Sequence, residues 1–469
     1  MLPYNDKDIT SIFDYSKRLI NRCLRDFAPN AEEYKGKGGL GQLVEELFFK
    51  YNVNSKQEAD FAFVNAELKC TPLKKSAKNE KLLIKERLVC SMINYTEDWN
   101  KSFEQSHFYK KCLVMLIMFY LHQSNASKLD LHFLFAVLWK IPDKDLLIIR
   151  QDYDKIINKI RSGRAELLSE GDTMYLGACR KGQKQDSLME QHGSDIGAPR
   201  RAWSLKTTYM RIMLDEVKKK NVNGAYCNYD ISSNNLEELI SVEELRQRSV
   251  DDVLKERFRP YLGLTYSDIC DKIDINPITA KSKYFVIANA IASKKKIGNV
   301  NTSEEFVKSG LTMKTIRISK SGVIRESMSF ENIDYQEVYD CDEWTDSRLY
   351  ELFTSRFLFV IYRETDKVLH LPNGKTEPEY MLDKVSFWTM PQADLDVAME
   401  YWENIRNCVK QDHISPEYFW NIKDKRHFHV RPKATLANDV VDTPNGSKAK
   451  KYCYWFNAQY VKKIIENEI

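Results

Sequence analysis

The sequence of 469 residues lacks the marks of several common protein classes. Its ten cysteines include no Cys-x-x-Cys pair, so a zinc site is not expected, and a disulfide framework is equally unexpected in a chain of this size. The first ten residues, MLPYNDKDIT, contain no charged and then apolar leader. The longest apolar run, Cys112 to Leu121, covers about half of a membrane span. These absences predict a soluble, cytoplasmic protein with reduced thiols.

The chain also has only a small excess of charge of one sign. The chain has 71 Lys and Arg against 67 Asp and Glu, which gives a net charge of +4. Such a mild balance permits a nucleic acid partner without demanding one, because charge can be segregated on one face. The hydrophobic content of 43% and the aromatic content of 12% are typical of globular proteins. A chain of this length exceeds one ordinary core, so we expect two domains.

Helical and strand patterns alternate along the first half of the chain. Residues 1–30 and 143–170 have apolar side chains at helical spacing, whereas residues 88–93 and 113–120 are typical of buried strands. Residues 200–210 are expected to form a final strand and turn. This order predicts an α/β protein, with mixed sheets flanked by helices.

The stretch 37–69 concentrates residues that can carry chemistry. A Gly-rich segment precedes an amphipathic helix that carries Glu45, and a two-strand unit is then expected to begin at Asp60, turn back and continue through Glu67 and Lys69. Because side chains alternate between faces along a strand, Glu67 and Lys69 point the same way, and a tight turn brings Asp60 beside Glu67. The apolar residues expected on the other side are Phe61, Phe63 and Leu68.

Acidic side chains and a lysine in this arrangement suit metal-dependent hydrolysis. Mg²⁺ is a hard cation that takes oxygen ligands and usually one or two carboxylates, which Asp60 and Glu67 offer, with Glu45 as further support for the metal or for Lys37. Lys69 is expected to orient or deprotonate the attacking water. The alternative is an exposed hairpin with a cross-strand ion pair. The Gly-rich segment is no phosphate loop, because no Gly-Lys-Ser/Thr follows it.

Several motifs together resemble the MutH family of DNA endonucleases. They are KGGLGQLVE, the acid at Asp60, ELKCTPL, ERLVCSMINY from Glu86, LLSEGDTMYLGACRKG from Leu167, SDIGAPRRAWSLKTTYM from Ser194 and HVRPKA from His429. The later motifs resemble the larger Sau-type branch, the type II restriction endonucleases that cut at GATC. The resemblance implies Mg²⁺-dependent cleavage of double-stranded DNA by a catalytic lobe and a second, MutH-like lobe that engages another DNA copy.

The second half of the chain repeats anchors of the first half. The paired positions are Lys69 with Lys314, Lys111 with Arg356, Trp139 with Trp388, Tyr153 with Trp402, Arg180 with Arg431 and Trp203 with Tyr454. The separation between partners stays between 245 and 251 residues, which favours an internal repeat over two unrelated domains.

The repeat predicts that the two copies differ in chemistry. Glu305 stands opposite Asp60, but Thr312 replaces Glu67, and the stretch 286–291 carries no acid where the first copy has Glu45. One carboxylate does not organise Mg²⁺ where several are needed. We therefore expect the second copy to bind DNA without cutting it.

Basic and aromatic residues near the end of each copy are the predicted DNA contacts. Arg and Lys can pair with guanine or with phosphates, and Trp and Tyr can stack or wedge. A plain surface charge is an equally good interpretation of any single one. The candidates are Arg180, Lys181, Arg200, Arg201, Trp203, Lys206 and Tyr209 in the first copy, and Arg431, Lys433, Lys451 and Tyr454 in the second.

The predicted organisation has three parts: a catalytic domain over 1–220, a helical connection over 221–275 and a non-catalytic DNA-binding domain over 276–469. A palindromic target calls for two equivalent readers, so we expect two chains to assemble on DNA. Two alternatives remain open: a MutH-like mismatch-repair nickase, and a non-cleaving DNA-binding regulatory protein.

Overall fold

The computed structural model describes residues 2–31, 39–51, 58–76, 80–181, 188–229, 236–295, 297–324, 326–433 and 439–467. The chain divides into two compact units, Met1–Asn235 and Leu236–Ile469. The division lies inside the stretch 221–275 that was expected to be a connection. Strand 225–227 joins a sheet of the first unit, whereas the helices between residues 242 and 273 belong to the second.

The first unit combines two main sheets with short helices. Its helices are α1 Ile9–Ser16, α2 Leu40–Leu43, α3 His107–Cys112, α4 Asp143–Arg161 and α5 Thr207–Lys220. Its strands are β1 Ala66–Lys75, β2 Leu82–Ile84, β3 Leu88–Met92, β4 Val114–Leu121, β5 Phe133–Lys140, β6 Leu176–Arg180, β7 Leu188–Gln191, β8 Ser194–Pro199, β9 Arg201–Leu205 and β10 Ala225–Cys227.

The larger sheet of the first unit has the order β10-β5-β4-β1-β2. Strand β1 runs parallel to β4, with Glu67 opposite Met115 and Lys69 opposite Ile117, and β4 runs antiparallel to β5. The apolar sequence of β4 is buried through its middle, as expected for a strand covered on both faces. A smaller antiparallel sheet, β3-β9-β6, lies in the same unit.

Three local predictions for the first unit are corrected by the structure. Residue Asp60 does not begin a strand: Phe61 makes one isolated bridge to Ala66, and the residues between them form a 3-10 turn that ends in the left-handed Asn65. The side chain of Phe63 is 68% exposed and does not pack behind the acids. The segment after β9 is the 14-residue helix α5 where a turn was expected, because its apolar residues follow helical spacing.

The second unit repeats the strand pairing of the first. Its helices are α6 Val242–Gln247, α7 Val250–Phe258, α8 Tyr266–Ile273, α9 Lys283–Ser293, α10 Glu304–Ser309, α11 Tyr335–Asp340, α12 Arg348–Thr354, α13 Gln392–Lys410 and α14 Ala458–Asn467. Its strands are β11 Thr312–Ile318, β12 Met328–Asn332, β13 Phe357–His370, β14 Thr376–Trp388, β15 Phe428–Pro432, β16 Val440–Asp442, β17 Lys448–Lys450 and β18 Tyr452–Phe456.

The strand order shows the correspondence between the units. Strand β11 runs parallel to β13, which runs antiparallel to β14, as β1, β4 and β5 do in the first unit. The sheet β12-β18-β15 corresponds to β3-β9-β6, and α4 and α13 each have 19 residues. The register moves two sequence pairings. Arg180 lies opposite Arg201, whereas Arg431 lies opposite Cys453, which shifts that pairing by one residue. Lys69 lies opposite Ile117 and Lys314 opposite Phe359, so the partner of Lys111 lies about one helical turn before Arg356.

Each unit has its own apolar core. In the first unit, α1, α2 and the inner face of β1 and β4 bury Phe13, Phe48, Leu68 and Leu116 together. In the second, β13, α13 and β18 bury Phe359, Trp402 and Phe456. Over the part of the chain that the structure describes, no helix combines the length and the apolar character needed to cross a membrane.

Candidate active site

Two acidic residues meet at the start of β1. The backbone N–H of Leu68 donates to Asp60 Oδ2 at 2.9 Å, and the backbone N–H of Asp60 lies 3.3 Å from Glu67 Oε2. The 3-10 turn between them supplies the reversal that a two-residue hairpin was expected to make. The side chains of Asp60 and Glu67 are therefore neighbours, as the spacing predicted, although the backbone reaches this geometry by another route.

Two lysines hold the carboxylate of Glu67. Lys69 Nζ lies 2.8 Å from Glu67 Oε1 and also donates to the carbonyl oxygen of Cys90 at 3.2 Å, while Lys111 Nζ lies 3.1 Å from the same Oε1. Glu67 is only 3% exposed, so the two ammonium groups compensate the charge of a buried carboxylate. Lys69 shares its face with Glu67, as strand alternation predicted.

Sequence reasoning missed Lys111 as a site residue. It lies on α3, more than 40 residues from Glu67, and no motif or spacing connects the two positions. The signal that could have found it is its place at the end of the helix that leads into β4, since parallel pairing sets the start of β4 beside the start of β1.

Glu45 lies near the two acids on a separate element. It follows α2 in a π-helical segment, Val44–Phe49, that ends at the left-handed Lys50. Burial raises the pKa of Glu45 to about 7, with the charges of Asp60 and Glu67 adding to the effect. Burial also raises the pKa of Asp60 to about 6, again with help from Glu67. The three carboxylates thus repel one another, and this local excess of negative charge attracts a cation.

The protonation of Lys69 follows from its neighbours. Burial disfavours the ammonium, but Cys112, Glu67 and Cys90 act in the opposite sense, and the pKa of Lys69 is raised overall. Lys69 is therefore charged near neutral pH in this structure. This state favours orienting water or stabilising negative charge over removing a proton.

The donor set fits a hard divalent cation with few protein ligands. Asp60 and Glu67 offer carboxylate oxygens, and Mg²⁺ commonly takes one or two of these and keeps several waters. Within the described ranges there is no ready-made group of three or more acidic, His or Cys ligands, so Glu45 lies outside a preformed metal cluster. Lys37, the remaining predicted catalytic residue, lies outside the residues that the structure describes.

Four of the predicted DNA contacts lie in the core, which corrects their assignment. Trp203 is 2% exposed and stacks on Tyr153, and the guanidinium of the buried Arg201 donates to backbone carbonyls. The Tyr209 hydroxyl donates to Asp145 at 2.9 Å, and Tyr454 is 1% exposed. Side chains that are buried and internally bonded stabilise each unit and do not reach a ligand.

The remaining basic candidates lie nearer the surface. Arg180, Arg200, Arg431 and Lys433 are exposed, and Lys181 is half-buried. Lys206 donates to the carbonyl oxygen of Thr173, and Lys451 pairs with Asp439. These two lysines are engaged within the protein.

The backbone gives one more correspondence between the units. The N–H of Lys181 donates to Arg200 O, and the N–H of Lys433 donates to Lys451 O. Lys181 and Lys433 therefore hold equivalent positions.

The chain is similar in sequence to known nucleases. Residues 49–152, which include Asp60, Glu67, Lys69 and Lys111, match the family described as the DNA mismatch repair enzyme MutH. Over 508 aligned residues the chain is 29% identical to the type II restriction enzyme Sau3AI of Staphylococcus aureus, with 97% of this chain and 98% of that enzyme covered. These similarities support a MutH-like nuclease, and the predicted mixed α/β fold is confirmed. More narrowly, they support a Sau-type endonuclease, that is, a type II site-specific deoxyribonuclease.

Proposed function

We propose that the first unit hydrolyses phosphodiesters of double-stranded DNA at GATC with Mg²⁺ as its cofactor. The observation that carries the proposal is the convergence on the Glu67 carboxylate of the Asp60 backbone N–H at 3.3 Å, Lys69 Nζ at 2.8 Å and Lys111 Nζ at 3.1 Å. The GATC target comes from the resemblance to the Sau-type branch. No described residue decides it.

The residues of the site have separate tasks in this mechanism. Asp60 and Glu67 would hold the ion, with Glu45 supporting it or Lys37. Bound Mg²⁺ would acidify the attacking water and polarise the phosphoryl oxygen. Lys69, charged near neutral pH, orients the water and stabilises negative charge as it develops. Lys111 Nζ, 3.1 Å from Glu67 Oε1, helps to fix that carboxylate and is a positioning residue.

The second unit is proposed to bind a further DNA site without cutting it. Thr312 stands where the first unit has Glu67, and Glu305 does not face a ligand. The buried carboxylate of Glu305 accepts the backbone N–H groups of Leu239 and Ile240 at 3.0 and 3.1 Å. Its oxygens are thus used within the fold. With one active acid cluster per chain, cutting both strands calls for two chains on the DNA, acting in the cytoplasm.

Digestion of plasmids tests the proposal. Plasmids with one or two GATC sites should be converted to linear fragments in Mg²⁺ and remain intact in EDTA, with every mapped end at GATC, whereas a plasmid with no such site should remain intact in both. Nicked circles as the final product would assign the chain to the mismatch-repair nickases. Faster cutting of the two-site plasmid supports a second DNA-binding site, and equal rates per site contradict it.

A further inference from the structure

A lysine of the second unit occupies the position of a catalytic lysine of the first. Lys314 lies on β11 as Lys69 lies on β1. Each donates to a backbone carbonyl oxygen of a neighbouring sheet, on β12 for Lys314 and on β3 for Lys69. The acceptor of Lys314 is Ser329 O at 2.7 Å, and the acceptor of Lys69 is Cys90 O at 3.2 Å. Val89 lies opposite Ser204 and Ser329 opposite the equivalent Trp455, so the lysine is retained in a unit that lost the acid, while its acceptor lies one residue earlier on the strand.

The acids that would balance Lys314 are absent or engaged elsewhere. Thr312 stands two residues before it, where the first unit has Glu67 two residues before Lys69. Nearby, Glu305 is bound by backbone amides, and Glu304 pairs with Lys308 at 2.7 Å. The second unit therefore keeps a cation where its counterpart has a compensated ion pair.

A second lysine increases the positive charge at this place. Lys433 Nζ donates to the carbonyl oxygen of Phe330 at 2.9 Å, next to the acceptor of Lys314 on β12. Burial and, to a smaller extent, the charge of Lys433 lower the pKa of Lys314 to about 8. Arg431 is also close, since Lys433, Arg431 and Lys314 all act on the buried thiol of Cys453.

The surroundings of Lys314 leave room for a ligand. A cavity of about 480 Å³ runs along β11 and is bordered by Lys314, Thr315, Ser329 and Asn301. Two acids also border it, but Glu326 pairs with Arg317 at 2.7 Å and Glu377 pairs with Lys283 at 2.6 Å. Among the residues that line the cavity, the charge left without an opposite partner is therefore positive.

Lys314 is partly buried and has the exposed Lys433 as a like charge beside it, an arrangement that an anion would compensate. We propose that Lys314 and Lys433 together hold one phosphate of a DNA duplex that the second unit binds and does not cut. The proposal rests on the proposed function, in which the second unit is a DNA-binding unit. It names the residues that would contact the DNA, here called the phosphate clamp. Because the second unit lacks an equivalent of Glu67, Lys314 is available to bind a phosphodiester.

Titration of the full chain with DNA tests the clamp. All proteins carry Glu67→Gln, so that the duplex stays intact, and a 30-base-pair GATC duplex is the probe. Lys314→Met and Lys433→Met should each weaken binding of the second duplex roughly tenfold and reduce the salt slope of log affinity by about one. Lys314→Arg keeps the charge and should restore the slope. Lys320→Met removes an exposed lysine of the same unit, paired with Asp366, and should change neither quantity.

The outcomes separate this proposal from the proposed function. If the parent chain binds only one duplex, both the second DNA site and the clamp are wrong. If the parent binds two duplexes and both Met variants keep its salt slope, only the clamp is wrong. An equal loss in Lys314→Arg and Lys314→Met would assign the loss to packing and overturn the clamp. Binding of inorganic phosphate alone at these lysines, with duplex binding unchanged, would assign the pocket to a free anion.

Discussion

The two units share one strand arrangement, but the charge at its equivalent positions differs in sign. In the first, the strand that carries Lys69 also carries Glu67, and the pair is buried with Lys111 as a second cation. In the second, Lys314 also donates to a backbone carbonyl oxygen but has Thr312 in place of the acid and Lys433 as its charged neighbour. The loss of the Glu67 equivalent, with Glu305 bound by backbone amides and Lys433 beside Lys314, leaves positive charge where the first unit has an acid cluster. The difference teaches that fold alone does not specify the chemistry of either unit.

The largest expected effect is the loss of cutting when the acid of the first unit is removed. Glu67→Gln should lower the cleavage rate by roughly a thousandfold or more, because metal-assisted stabilisation of the transition state contributes several kcal/mol. Duplex binding should stay within a few-fold. Glu46→Gln, an exposed neighbour of Glu45, is the control and should cut normally. Cutting retained by Glu67→Gln, measured as linear plasmid in Mg²⁺, would overturn the site.

A smaller loss is expected at the lysine that the sequence did not reveal. Lys111→Met should lower kcat roughly 10- to 100-fold with little change in DNA affinity, because Glu67 loses one of the groups that fix its Oε1. Lys110→Met, which removes the exposed neighbour on α3, is the matched control. A single-turnover assay measures both rates. Equal rates in the two variants would show that Lys111 only balances charge.

The units should also differ in their response to acid. His429 is fully buried in the second unit, where the strand pairing of the first has Gly177, and burial and Arg431 lower its pKa to about 4. The unfolded imidazole titrates near 6.5, so this stabilising contribution is complete above that pH and is lost as the pH falls toward 4. The second unit should therefore lose about 2 kcal/mol of unfolding free energy between pH 7 and pH 5.

Urea unfolding of variants isolates this effect. His429→Phe should flatten the dependence on pH, since no titrating group remains at the position. His370→Phe replaces an exposed histidine of the same unit and should leave the dependence unchanged. If His429→Phe retains the full loss at pH 5, another group is responsible.

The smallest effect on cutting is expected when the missing acid is put back. Thr312→Glu in a Glu67→Gln chain should give no cleavage, because Glu305 stays bound to Leu239 and Ile240 and cannot act as Asp60 does. The new acid should pair with Lys314 and raise the unfolding free energy by about 0.5–1 kcal/mol. Thr376→Glu, at an exposed threonine, should give no such gain. Recovery of cleavage would break the comparison between the units.

Local sequence patterns predicted the parts of the fold that depend on residues close together in the sequence. The apolar run of β4 and the shared face of Glu67 and Lys69 follow from strand periodicity. The approach of Asp60 to Glu67 was also predicted, but its 3-10 turn was not, because a short turn with a left-handed Asn65 has no periodicity to detect.

Contacts between segments that lie far apart in the sequence could not be predicted from it. Trp203 and Tyr209 lie in a basic, aromatic segment that resembles a DNA contact, yet they are buried because α4 supplies Tyr153 and Asp145 as their partners. The contact of Lys111 with Glu67 likewise depends on the parallel pairing of β1 with β4. Both outcomes depend on tertiary packing, which residue spacing within one segment does not encode.

The hydrogen bond from the Leu68 amide to Asp60 gives the nuclease site an internal reporter. That amide lies inside the strand flanked by Glu67 and Lys69, so its proton can exchange with solvent only when the acid moves away or the strand opens. Its exchange rate therefore measures how often the free protein loses the contact between Asp60 and the start of β1. A slow rate without DNA or metal would mean that the acids are already held in place before either ligand binds.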